Sequence, residues 1–91
     1  MDRYLIISAH TKEDCKAAVE HFAQYYAGYI KNFEWGCLDN DHNAYAIIEA
    51  ESHKEALMSV PPILRNKAKV IRITTFTPAQ VHSIIHGTGL I

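Results

Sequence analysis

Two short runs constrain this chain most. Residues 3–10, Arg-Tyr-Leu-Ile-Ile-Ser-Ala-His, and residues 44–50, Ala-Tyr-Ala-Ile-Ile-Glu-Ala, are almost wholly apolar and too short for a buried helix. Each reads as a strand covered on both faces, at the centre of a sheet. Helix-start chemistry follows both. Thr11 stands three residues before Asp14, and Ser52 three before Glu55, the spacing at which a hydroxyl caps a helix and an acidic side chain caps in return. After Thr11, apolar residues recur at helical spacing at Cys15, Ala18, Val19, Phe22 and Tyr26, and Gly28 is expected to end that helix. After Ser52, a helix through Ala56, Leu57 and Val60 meets Pro61-Pro62. The missing amide donors and ring clashes must break or kink it there, with a further turn at Ile63-Leu64-Arg65.

Between these units, residues 29–38, carrying Tyr29, Ile30, Phe33, Trp35, Cys37 and Leu38, predict another strand. Asp39-Asn40-Asp41-His42-Asn43 predicts a hairpin turn, because Asp and Asn side chains bond their own backbone and tolerate left-handed conformations. Residues 69–76 alternate as a final strand. Thr77, Pro78 and Gln80 then supply the cap, first-turn proline and acceptor of a C-terminal helix in the segment 78–91, with Val81, Ile84 and Ile85 on its apolar side and a stop near Gly87. The order is β-α-β-β-α-β plus a helix, the split βαβ pattern. It predicts one α+β, ferredoxin-like domain over residues 1–91 with a four-stranded antiparallel sheet of strand order 4-1-3-2. Ninety-one residues, 48% of them apolar, do not accommodate a second domain.

Nine Lys and Arg against ten Asp and Glu leave a formal charge of −1, too weak a field for a dedicated polyanion binder. No run of about 18 apolar residues is present, so no membrane span is expected. Met1-Asp2-Arg3 does not begin a secretory signal, and Cys15 and Cys37 are too few for a disulfide framework. A cytoplasmic location with reduced thiols is the expectation.

If both main helices cover one face of the sheet, the other face is open. The small side chains of Ala44, Ala46 and Ala50, with Ile48, are assigned to the covered side, so Tyr45, Ile47 and Glu49 point outward. The matching choice sends Tyr4, Ile6, Ser8 and His10 outward on the first strand, and Val70, Arg72 and Thr74 on the last; for residues 32–37 either parity is open. A half-apolar face of this size calls for a cover, and a second copy is the simplest one. In its element order and open face the chain resembles the dimeric α/β-barrel superfamily of ferredoxin-like proteins. That resemblance implies a homodimer enclosing a cavity for a small molecule. The cavity candidates are Tyr4, Ser8, His10, Tyr45, Glu49 and Arg72. The superfamily includes isomerase-like and monooxygenase-like members, so a cofactor-independent enzyme of that kind, acting on a small ligand, is the alternative function. Residues 43–50 also resemble the third strand of RNA-recognition motifs. Asn43 replaces its basic residue, however, and Ile47 and Ile6 stand where stacking aromatics belong, so no nucleic-acid partner is expected.

The same topology gathers His10, Cys37, Asp39, Asp41 and His42 at one end of the sheet. Imidazole, thiolate and carboxylate are what a divalent transition metal takes, and His10, Cys37 and His42 are the ligand candidates for Zn or Ni. No compact C-x-x-C pair is present, and turn residues with a packed cysteine are the other reading. His82 and His86, at i and i+4 on the C-terminal helix, form a second metal candidate. They lack the Glu of H-E-x-x-H and border the apolar stripe, where solvated histidines also sit. Tyr25, Tyr26, Phe33 and Trp35 read as core aromatics.

Overall fold

The computed structural model describes residues 1–25, 28 and 32–87. It contains strands β1 (Asp2–Ala9), β2 (Glu34–Trp35), β3 (Asn43–Ala50) and β4 (Ala68–Ile73). Its α-helices are α1 (Cys15–Tyr25), α2 (His53–Leu57) and α3 (Pro78–Ile85), and 3-10 turns occupy Cys37–Asp39 and Pro62–Lys67. All pairings are antiparallel in the order β2-β3-β1-β4, which is the expected 4-1-3-2 counted from the other edge. The two apolar runs are the inner strands.

Local chemistry sets the helix starts. The Asp14 amide donates to Thr11 Oγ1 at 3.2 Å, while the Thr11 hydroxyl donates to the Asp14 carboxylate at 2.8 Å. The Glu55 amide donates to Ser52 Oγ at 3.0 Å, and Thr77 with Gln80 forms a full capping box ahead of α3. α2 ends at Leu57, short of the expected Val60; Ser59 and Val60 close i to i+3 turns on Ala56 and Leu57 before Pro61 and Pro62, and the chain resumes as the 3-10 turn Pro62–Lys67. Gly28 is itself helical rather than a stop. The expected long strand over 29–38 shrinks within the described residues to Glu34 and Trp35, because Cys37 and Leu38 enter a 3-10 turn. Tyr26, Tyr29, Ile30 and the tail at 88–91 lie outside the described residues.

Both α1 and α2 lie on one face, and the core beneath them is Tyr4, Ile6, Phe22, Phe33, Ala44, Ala46, Ala50, Ala56 and Val60. The expected faces hold for β3 and fail for β1 and β4. Register pairs Tyr4 with Ile48, Ile6 with Ala46 and Ser8 with Ala44, so Tyr4, Ile6, Ser8 and His10 are buried under the helices. Val70 pairs with Ile6 and packs on the same core, and Arg72 pairs with Tyr4. The reason is volume: bulky Tyr4 and Ile6 fill the space that the alanines of β3 leave beneath the helices, and the first strand is apolar on both sides, so its alternation carries no information. On β2, Trp35 pairs with Ala44 on the covered face and Glu34 with Tyr45 on the open one.

The open face remains half apolar with different residues. Ile71, Leu5 and Ile47 form one continuous row across three strands, with Ile47 54% and Ile71 44% exposed. Helix α3 carries no buried residue. Among the described residues no helix is long and apolar enough to cross a membrane.

Candidate metal centre

One end of the sheet carries the chemistry. β1 runs out at Ala9, and the His10 amide donates to the His42 carbonyl at 3.1 Å, fastening the strand end to the hairpin. The Thr11 hydroxyl then accepts from the amide of Asp14, the residue just ahead of Cys15, the first residue of α1. Across the sheet, Gly36 leaves β2 and anchors the loop with three backbone bonds. Its amide donates to the Asn43 carbonyl at 3.0 Å, and its carbonyl accepts from the amides of Asp39 at 2.9 Å and Asp41 at 3.0 Å. Cys37 thereby opens the 3-10 turn, which Asn40 closes with a left-handed φ of 60°. His42 follows immediately before β3.

These segments converge on four side chains. One donor atom from each of His10, Cys15, Cys37 and His42 lies within 4.8 Å of every other, with His10 Nε2 and Cys37 Sγ 3.2 Å apart. A zinc ion sits about 2.0–2.1 Å from nitrogen and about 2.3 Å from sulfur, which puts the donors of a tetrahedron about 3.3–3.8 Å apart. The cluster is thus within about 1 Å of that geometry before any ion draws it in. It has the donor set a transition metal takes.

The protonation states favour ligation. His42 Nε2 lies 3.2 Å from Asn40 Oδ1, an oxygen that can only accept, so Nε2 carries the proton and Nδ1 keeps a bare lone pair. That Nδ1 is buried and has no hydrogen-bond partner. A buried acceptor left empty is costly and rare, and a cation supplies what it lacks. Burial first, and neighbouring His42 second, hold His10 below the usual histidine range, so its ring is neutral near pH 7; a backbone bond with Ser8 opposes that shift. The Cys37 thiol is pushed up to about 11, by burial and then by its hydrogen bond with Cys15. Without a metal it is a protonated thiol, and a bound dication would reverse that.

The surroundings hold the ligands in place. Asp41 accepts from the Asn43 side-chain amide and from the Tyr45 hydroxyl, and these two bonds hold its carboxyl below the usual carboxylate range. The same contact pushes the Tyr45 phenol up. Trp35 packs 5.9 Å from the His10 ring and meets Phe22 edge-on at 5.3 Å, forming an apolar wall behind the site. Such outer partners orient ligands and limit water access.

The structure brings together the expected His10, Cys37 and His42 and adds Cys15, which the sequence reading assigned to the apolar stripe of α1. A signal was available. His10 and Cys15 are separated by four residues, and Cys37 and His42 are likewise separated by four, two mirrored ligand pairs. Asp39 is exposed and Asp41 is committed to its hairpin, so neither belongs to the cluster. The expected cavity set is not brought to one face: Tyr4, Ser8 and His10 are under the helices, and Tyr45 and Glu49 lie on the open side. Arg72 sits at the far end, 3.9 Å from Asp2. A shallow depression of about 390 Å³ on the open face is lined by Leu5, Asn32, Glu34, Tyr45, Ala46 and Ile47. The rings of His82 and His86 lie tilted with centroids 4.2 Å apart on an exposed helix, and His53 packs edge-on against Tyr4.

No family model, curated protein or solved structure matches this chain. Geometry therefore carries the functional reading.

Proposed function

We propose that this protein is a zinc-binding domain whose ion is held by His10, Cys15, Cys37 and His42 and staples the end of β1, the start of α1 and the 36–42 loop. The observation that carries the reading is the convergence of two thiols and two imidazoles within 4.8 Å of one another, with a buried Nδ1 of His42 that has no hydrogen-bond partner. A Cys2His2 set is one that zinc takes in closed, four-coordinate structural sites, whereas catalytic sites keep a position open. Two sulfurs among the donors favour zinc over nickel in planar nitrogen and oxygen fields. The role is therefore stabilisation and shaping of this end of the domain rather than hydrolysis.

The test is loading with Zn2+ and removal of excess, followed by metal analysis and melting. One ion per chain is expected. At a free concentration 100 times Kd, an ion that binds only the folded state adds about 2.7 kcal/mol, which is a rise of roughly 10–20 °C for a domain of this size. His42→Ala and Cys15→Ser should each abolish stoichiometric uptake. Retention of a full ion by both variants would defeat the assignment.

A second reading concerns the open face. The row Ile71, Leu5 and Ile47 is flanked by a row that runs from Lys69 through Ile7 and Tyr45 to Glu34, with opposite charges at its two edges. A two-fold axis along the strands sets Lys69 of one copy over Glu34 of the other and apolar row over apolar row. This supports a homodimer of the α/β-barrel kind, with a small-molecule cavity between the sheets. Sedimentation tests it, and a monomer at high concentration would defeat it.

A further inference from the structure

We propose that Cys15 and Cys37 are a peroxide-oxidisable pair, so that the zinc site is redox-gated: oxidation joins the two sulfurs and expels the ion. This rests on the zinc reading above and adds a regulation to it. The two sulfurs belong to one cluster whose donor atoms lie within 4.8 Å of one another, and both cysteines are only half-buried, so a small oxidant can reach them. They come from elements far apart in sequence, Cys15 as the first residue of α1 and Cys37 as the first residue of the 3-10 turn after β2. Closing from ligand separation to a bonded pair needs a modest movement of a helix's first residue toward a turn.

Zinc supplies the reactivity. A neutral thiol is a poor nucleophile, and a bound dication deprotonates a coordinating thiol. With zinc bound, both sulfurs are thiolates. One attacks a peroxide oxygen, the O–O bond breaks, and the departing hydroxide takes a proton to become water. The sulfenic acid so formed is attacked by the second thiolate; the S–S bond forms, the S–O bond breaks, and hydroxide again leaves as water after taking a proton. Two thiolates have each lost one electron, and hydrogen peroxide has accepted both. The sum is one zinc dithiolate, one peroxide and two protons giving one disulfide, two waters and free Zn2+. His10 and His42 then remain as the sole donors of the set, too few for a closed site.

The experiment uses the zinc-loaded full chain, with uptake of one ion verified before any oxidant is added. Hydrogen peroxide is then titrated in while a chromophoric chelator reads released zinc and intact mass reads the protein. The expected result is one zinc released per chain, with a monomeric product lighter by two hydrogens, reversed by dithiothreitol and zinc. Zinc retained with both thiols intact, a product heavier by oxygens on each cysteine, or disulfide-linked dimers would each overturn the gating while leaving zinc binding in place. A chain that takes up no zinc at the loading step overturns both proposals, and that is seen before peroxide enters.

Discussion

Gly36→Ala is the substitution that bears most sharply on how the loop positions its ligands. An added Cβ would lie 2.7 Å from the Asp41 carbonyl oxygen and 2.9 Å from the Asp41 Cβ. Ordinary contact begins near 3.4 Å, so the backbone of Asp41 must retreat by about 0.7 Å. Gly36 has a φ of −87°, which any residue adopts, so the effect is pure crowding rather than backbone strain. His42 is the next residue after Asp41 and moves with it. The metal-free loop can relax around the methyl, but a zinc–ligand sphere tolerates only about 0.2 Å. Overpacking of this kind costs about 1–3 kcal/mol, and charged to the bound state alone that weakens zinc by about 5- to 150-fold. The assay is competition against a chromophoric chelator, with circular dichroism melts of the metal-free variant alongside. Gly28→Ala, whose Cβ meets nothing within 4 Å, is the control and should leave zinc affinity unchanged. An unaltered zinc Kd in a folded Gly36→Ala protein would refute the claim that the close approach of Gly36 to Asp41 fixes where the loop places His42.

Further outcomes follow from the same geometry. Because the Cys37 thiol sits near 11 without metal, zinc must displace its proton, so apparent zinc affinity should rise at least about tenfold per pH unit between pH 6.5 and 8; a flat profile by calorimetry contradicts thiolate ligation. His10 is held below its unfolded value of 6.5, so the unfolded chain binds more protons there. Its contribution to metal-free stability is complete above about pH 6.5 and is lost as pH falls through the lowered value, a loss that His10→Asn should remove from denaturant midpoints. Tyr45→Phe deletes a donor to Asp41, so in NMR titrations the Asp41 carboxyl should move back toward the ordinary range, and zinc should bind more weakly. Leu5→Asp places a charge in the middle of the apolar row Ile71–Leu5–Ile47 and should leave a folded monomer by sedimentation wherever the parent chain is a dimer.

The fold was legible where its determinants are local. Thr11, Ser52 and Thr77 announced their helices because a cap is a contact over three residues, and the inner strands were marked by runs with no polar side. The faces of β1 and β4 were not legible. Tyr4 and Ile6 alternate with Leu5 and Ile7, all apolar, so only the register against Ala44 and Ala46 decides which pair is buried. The short β2 was hidden for a related reason, since Cys37 and Leu38 look like strand residues until Gly36 turns the chain. At the site, His10, Cys37 and His42 could be gathered by topology alone. Cys15 was missed because a cysteine on the apolar stripe of a helix looks the same whether it packs or ligates; only the mirrored separations of His10 from Cys15 and of Cys37 from His42 marked it.

X-ray absorption at the zinc edge of the loaded protein reads the ligand atoms themselves. Two sulfurs at about 2.3 Å and two imidazole nitrogens at about 2.0–2.1 Å are predicted, with one sulfur lost in Cys15→Ser. A shell of oxygens, or a sulfur count that Cys15→Ser leaves unchanged, would contradict a centre built from His10, Cys15, Cys37 and His42.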